Sequence, residues 1–447
     1  MTQTAILTRA PARPATLLVR GAHVVDPVER IDALHDVLVR DGEIAAIGAA
    51  GDLRPDGAEV VDGGGRHLLP AFVDPHVHLR TPGQEHKEDI ETGTRAAAAG
   101  GFCAVLAMPN TTPVVDTAPV LGALLDQAAR DARVPVGFLG CITRGMGGQD
   151  LTEMAELADV GAVGFTDDGK PVADAGVMRR ALQYQRLAGR VLALHEEDPT
   201  LSANGAMHEG AVSARLGVAG IPSVSESVLV ARDCQLAGYE GGRIHLQHLS
   251  CVASVEAVAA AKAAGVQVTC EASPHHLTLT DEDVAELDTR LKMNPPLRTA
   301  ADRTALVDGL RDGTIDCVAT DHAPHARDEK EVAFEQAPMG TTGLETAFAA
   351  LHTELVVGGL LELGVLVDRM CAGGVPFGVA QPRIAVGQPA NLTLVDLGRR
   401  WTVGENGYES RSENCCFAGR ELQGRVLLTV AAGAVAYRER SFALTAA

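Results

Sequence analysis

The sequence predicts an α/β fold, a (β/α)8 barrel carrying a composite β-sandwich, and three observations predict it. Through the middle of the chain, short apolar runs alternate with helix-like stretches. The unusual polar residues of that middle fall just after the apolar runs. Both ends of the chain have a different texture, with short β-type stretches separated by Gly- and Asp-rich turns.

Residues 1–16 lack the long apolar core of a signal peptide and read as a disordered leader. Residues 17–70 contain TLLVRGAHVVDP, DVLVRDGEIAAIG and AEVVDGGGRHLLP, and residues 383–447 contain RIAVGQPANLTLVDL and RVLLTVAAGAVAYRE. These are antiparallel-strand patterns. Neither end is large enough to bury a core alone, so the two are expected to pack together as one sandwich. Residues 71–382 are expected to form the barrel. Runs such as GFCAVLAM, VPVGFLG, RVLALH and RIHLQH are continuously apolar, as strands of a helix-covered parallel sheet must be. In a closed barrel the strand C-terminal ends converge on one rim, whereas in an open sheet they spread along a line and cannot surround one substrate.

Composition bounds the partners. The 447 residues are 46% apolar, 21% charged and 3% aromatic, enough to bury a large aliphatic core. A net charge of −20 repels polyphosphate, which argues against nucleic-acid and anionic-membrane binding while leaving small anionic substrates open. No apolar run approaches the ~20 residues of a membrane span. Nine cysteines, with no C-x-x-C, suggest a reducing cytoplasm without a disulfide framework.

The polar residues at the rim imply metal chemistry. His76 and His78 sit at i and i+2 on one strand, so both imidazoles face the same side. His195, His248 and Asp321 each follow a different apolar run. Four imidazoles and a carboxylate suit Zn2+ or a similar ion. They are too many for one tetrahedral ion with an open position, and they suit two ions joined by a bridging anion. The bridge candidates lie in TDDGKP and are ranked Asp168, then Asp167, then a carboxylated Lys170. If Asp167 is not the bridge, it reads as a solvated turn residue. Such a centre fits hydrolysis of a cyclic amide, with Asp321 both ligating and shuttling the proton from water to the leaving nitrogen. Arg80, two residues past His78, can hold a substrate carboxylate. Asn110 and Asn294 can supply directional hydrogen bonds, and His325 can contact the substrate or support those that do. His275 and His276 receive no role.

The motifs DPHVHLR, AMPNTTP, GFTDDG, HEED, QHLS, SPHHL, KMNPPLR and TDHAPH occur in an order and spacing that resemble the dihydroorotases of the amidohydrolase superfamily, closest to the bacterial type I class. The resemblance spans roughly residues 17–440. It implies a zinc-dependent hydrolase that interconverts N-carbamoyl-L-aspartate and L-dihydroorotate in pyrimidine synthesis, with two Zn2+ per subunit. His76, His78, His195, His248 and Asp321 match the family's zinc ligands, and Asp168 its bridging carboxylate. Arg80, Asn110, Asn294 and His325 match substrate contacts, with Pro338 and Gly340 in the substrate-covering segment AFEQAPMGTTGLE. It also implies a cytoplasmic homodimer that associates with aspartate carbamoyltransferase. Hydantoinase, dihydropyrimidinase and allantoinase are the enzymatic alternatives. A non-catalytic scaffold for aspartate carbamoyltransferase is the alternative of another class.

Overall fold

The computed structural model describes residues 7–442. Five strands open the chain: β1 (Leu17–Asp26), β2 (Ile31–Arg40), β3 (Glu43–Ala49), β4 (Glu59–Asp62) and β5 (His67–Pro70). The barrel begins one residue later with β6 (Phe72–Val77), β7 (Phe102–Ala107), β8 (Val136–Phe138), β9 (Gly164–Phe165) and β10 (Val191–Leu194). A short pair, β11 (Met207–His208) and β12 (Gly220–Ile221), lies in an excursion outside the barrel wall. The wall resumes with β13 (Arg243–Leu246), β14 (Gln267–Ala272) and β15 (Cys317–Val318), and the chain closes with β16 (Leu392–Thr402), β17 (Glu421–Ala431) and β18 (Ala434–Arg438).

The eight barrel strands are all parallel and run in sequence order. Two further bridges close the ring. Gly140 pairs with Phe165 to join β8 to β9, and Val77 pairs with His322 just past β15. β6 and β7 are buried at every position, which is why β7 is a continuous apolar run rather than an alternation, while β6 buries Asp74 and His76 among its apolar residues. Phe72 and Phe102 meet edge-to-face at 5.7 Å, and Phe72 stacks on Phe348 at 5.4 Å, plugging one end of the wall. Truncating such a buried phenylalanine to alanine costs about 3–5 kcal/mol.

The helices start where the sequence supplies caps. Asp89 and Thr92 form a reciprocal capping box at the head of helix Ile90–Ala99, and Thr299 with Asp302 does the same for Ala300–Asp312. The second helix ends at Gly313 in the left-handed region, where a side chain is strained.

The terminal strands merge into one eight-stranded sheet in the order β18-β17-β16-β5-β1-β2-β3, with β4 also on β1. The two ends of the chain join where β5 pairs antiparallel with β16. The sheet packs on its own core, including Leu17, Val24, Val37, Leu68, Leu394 and Leu428. Among the described residues, no helix is long and apolar enough to cross a membrane, and all nine cysteines are free and buried.

Two segments differ from the sequence expectation. Residues 1–6 of the expected leader lie outside the described residues, but residues 7–16 are not disordered. Thr8 pairs antiparallel with Val136, and Leu7 packs into the core beside Leu106. The Arg9 guanidinium donates to the Ala431 and Ala432 carbonyls. The second difference lies within 383–447, where Val403, Cys415, Cys416 and Phe417 leave the sandwich. They pack instead with Met293 and Phe334 of the barrel rim. That detour brings Asn414 to the site.

Candidate active site

Every metal-ligand candidate lies at or just past the C-terminal end of a barrel strand. His76 is on β6 and His78 just beyond it. Asp168 follows β9, His195 follows β10, His248 follows β13, and Asp321 follows β15. All six are less than 10% exposed. His248 (φ 33°), Asp321 (φ 47°) and Arg80 (φ 59°) hold positive φ, which a non-glycine residue adopts only where surrounding structure enforces it.

The structure brings all six together around Asp168. Asp168 Oδ1 lies 3.4 Å from His76 Nε2 and 3.7 Å from both His195 Nδ1 and His248 Nε2, while Oδ2 is 3.5 Å from His78 Nε2. Asp321 Oδ1 is 3.0 Å from His78 Nε2 and 3.5 Å from His76 Nε2. Two overlapping sets result. One is His76, His78 and Asp321, and the other places Asp168 against His76, His195 and His248. His195 Nδ1 and His248 Nε2 face each other at 2.9 Å. His76 Nε2 and Asp168 Oδ1 are buried without a hydrogen-bond partner. Converging imidazole lone pairs and carboxylate oxygens, two of them orphaned, fit divalent-cation binding.

Lys170 is exposed and lines a separate groove, so it does not reach the centre. Asp167 is not a solvated turn residue. It is buried, accepts from the Ile142 and Thr143 amides and the Thr143 hydroxyl, and burial raises it to about 6.

Three acceptors orient the histidines. Glu271 Oε1 is 2.8 Å from His76 Nδ1, Asn110 Oδ1 is 2.9 Å from His78 Nδ1, and Glu197 Oε2 is 3.0 Å from His195 Nε2. In each ring, the nitrogen held by the acceptor is the one facing away from Asp168. This assigns the tautomer that leaves the other lone pair free. Glu271 also accepts from His245 Nε2 and from the His248 amide, so one carboxylate steadies two ligands. Burial would raise Glu271, but its bonds to His245 and His76 hold it at about 2. Burial likewise opposes ionisation of Asp168, yet His76 foremost among the surrounding imidazoles keeps it well below the usual carboxylate range.

A cavity of about 240 Å³ opens over the centre, lined by Arg80, Asn110, Asn294, His325, Met339 and Gly340 along with every ligand candidate except His76. Arg80 Nε donates to the Pro324 carbonyl, and Nη2 lies 3.5 Å from His325 Nε2. Burial and the neighbouring Arg80 and Lys330 cations pull His325 down to about 3, so the ring is neutral. Asn110 donates to Asp168 Oδ2 as well as accepting from His78, so it braces the centre besides lining the cavity. Asn294 Nδ2 donates to Glu197 Oε2 at 2.6 Å. Pro338 is absent from the lining; its carbonyl turns to Lys330 Nζ, and Met339 takes its place.

Sequence reading missed Glu197, Glu271, Lys330 and Asn414. A charged residue inside an apolar strand run was the available signal for Glu271. His276, which received no role, holds the Pro295 carbonyl beside Asn294 at 2.9 Å. His275 is buried, and its Nε2 has no hydrogen-bond partner.

A parallel barrel with an appended sandwich and a histidine–aspartate centre on its rim defines an amidohydrolase-type hydrolase. The L-hydantoinase (dihydropyrimidinase) from Arthrobacter aurescens shares this architecture at a TM-score of 0.84 and 26% identity, over 97% of this chain and 98% of that one. The dihydropyrimidinase from Brevibacillus agri shares the fold at a TM-score of 0.82 and 23% identity, over 96% and 97% of the two chains. Sequence narrows the class. The Dihydro-orotase-like family model matches residues 65–254. A dihydroorotase from Desulforapulum autotrophicum is 46% identical over 420 residues, 94% of this chain and 98% of the relative. One from Pelotomaculum thermopropionicum is 46% identical over 429 residues, 95% and 99% of the two chains. The chain belongs to the dihydroorotase family.

Proposed function

We propose that this protein interconverts L-dihydroorotate and N-carbamoyl-L-aspartate in pyrimidine synthesis, as a type I dihydroorotase using two Zn2+ per subunit. His76, His78 and Asp321 would hold one ion and His195 and His248 the other, with Asp168 between them. When bound, such a pair makes water nucleophilic near neutral pH and polarises a carbonyl. In the hydrolytic direction, water adds to the ring amide carbonyl and the carbon–nitrogen bond breaks. Asp321 accepts the proton lost by water and returns it to the departing nitrogen.

The observation that carries the substrate reading is a buried guanidinium in the cavity. Arg80 uses Nε on the Pro324 carbonyl, which leaves its terminal nitrogens for a substrate carboxylate. Dihydroorotate has that carboxylate, whereas hydantoin and allantoin lack it. Asn294, fixed by Glu197, supplies a further polar contact on the same wall. The intended assembly is a cytoplasmic homodimer that associates with aspartate carbamoyltransferase.

The test is a spectrophotometric assay of the zinc-loaded chain on dihydroorotate, hydantoin and allantoin. Turnover of dihydroorotate alone is expected, and Asp321→Asn should abolish it while most of the metal remains bound. Preference for hydantoin or allantoin would overturn the substrate assignment. Absence of any turnover by the isolated chain would favour the scaffold reading.

A further inference from the structure

Met339 and Gly340 line one side of the cavity, and the short stretch Pro338–Gly340 that carries them is held through three carbonyls and one amide. The Pro338 carbonyl accepts from Lys330 Nζ at 2.8 Å, and the Met339 carbonyl lies 2.9 Å from His325 Nε2. The Gly340 amide donates to the Lys292 carbonyl at 2.8 Å, and the Gly340 carbonyl accepts from Asn414 Nδ2 at 3.1 Å. Gly340 itself has φ 139°, and a Cβ there would sit 2.8 Å from Ala323 Cβ and 3.0 Å from His325 Nε2. The segment is wedged against the histidine it helps to hold.

Lys330 is the group on which this wall converges. Its side chain is buried, 7% exposed. Besides Pro338, its ammonium donates to the Thr289 carbonyl at 2.9 Å and the Lys292 carbonyl at 3.4 Å. Three donors meet three carbonyls from two stretches of chain, 289–292 and Pro338, and no carboxylate pairs with it among these contacts. Lys292 lies two residues before Asn294 and in turn donates to the Glu335 carbonyl at 3.0 Å, with its ammonium over the Phe334 ring. Burying a charge without a counter-ion is costly unless every donor is satisfied, so its placement here needs a structural return. Burial, and after it the neighbouring Lys292 ammonium, pull Lys330 down to about 7, while the Asp288 and Glu329 carboxylates favour keeping the proton.

We infer that Lys330 is a positioning residue for substrate binding: it ties the Asn294 segment to the Pro338–Gly340 segment and so fixes the width of the substrate side of the cavity before substrate arrives. The inference rests on the dihydroorotase reading for its substrate, but its mechanical part does not. On this account the covering segment is a preset wall rather than a lid that closes on binding. The benefit falls on affinity, because ordering the wall in advance removes that cost from the binding step.

The test compares the wild-type zinc-loaded protein with Lys330→Met, which keeps the stem and removes the ammonium. The KM for dihydroorotate should rise about tenfold or more, as loss of charged hydrogen bonds implies, while kcat changes by less than about threefold. Metal content should match the wild type. Amide exchange at Gly340 should quicken while the barrel helices keep their protection, and this readout holds whatever the substrate proves to be. Thr289→Val, which removes a hydroxyl bond to the Lys330 carbonyl but leaves the ammonium, should leave KM within about twofold. If Lys330→Met does not fold, Lys330→Gln, which retains donors for two carbonyls, is judged by the same measurements. An unchanged KM together with unchanged Gly340 exchange overturns the inference, as does a fall in kcat and metal content with KM unaltered. Wild-type protein inactive on dihydroorotate would overturn the substrate reading instead, and Gly340 exchange would still decide the role of Lys330.

Discussion

At the scale of single residues, the centre depends on side chains that never touch a substrate. Glu271 accepts from His76 Nδ1, from His245 Nε2 and from the His248 amide, so it fixes two ligands with one carboxylate. Glu271→Gln replaces one oxygen with a donor that must face either His76 or His245, and one ring then loses its tautomeric instruction. Metal affinity should fall by about tenfold to a hundredfold, the usual cost of losing such an outer partner. Competition with a chromogenic chelator measures it, and an affinity equal to wild type would remove Glu271 from the account. The six inner residues were legible in sequence because each sits just past an apolar strand run, where barrel geometry sends it to the rim. Glu271 and Glu197 were not, because what they do is set by which strands neighbour each other. Burial separates the candidates in TDDGKP: Asp168 is enclosed by four imidazoles, while Lys170 is exposed.

At the scale of elements, the terminal segments were the least legible. The strands of 17–70 and 383–447 announce themselves by alternation, but a stretch that crosses from one unit to lie on another has no periodic signature. Residues 403–419 are of that kind. Their anchor is Glu345, whose carboxylate accepts the Glu409 and Ser410 amides and whose pKa burial raises to about 7. The sign follows from linkage. Between the unfolded value near 4.5 and the folded value near 7, the folded state holds a proton that the unfolded state has released. Stability contributed here is therefore present below the lower value and declines as pH rises through the window. Its full size is about 1.4 kcal/mol per pKa unit before solvent relaxation reduces it. Glu345→Gln cannot ionise, so its unfolding free energy, measured by urea titration from pH 4.5 to 8, should fall less steeply than that of the wild type. Parallel pH profiles would show that the anchor is not a buried acid.

At the scale of the whole molecule, the rim of the barrel gathers ligand atoms whose bonding capacity a cation would fill. His195 and His248 present nitrogens at 2.9 Å, and His76 Nε2 and Asp168 Oδ1 lie buried without partners. These groups are delivered by β6, β9, β10, β13 and the segment beyond β15, more than half the circumference of the wall. A cation pair held there would cross-link strands distant in sequence, and its binding free energy would add to folding stability. The unfolded chain holds no such convergent set, so the gain follows mass action, about 4 kcal/mol when free metal exceeds Kd a thousandfold. Calorimetry of the zinc-loaded protein with and without a chelator should therefore show a Tm several degrees lower after stripping, restored by adding zinc back. Asp168→Asn should start near the stripped value and respond little to either treatment, because the oxygen shared between the two sets is gone. A stripped wild-type protein that melts where the loaded one does would mean that the six residues are held together by packing alone, and a metal-dependent mechanism would have no site.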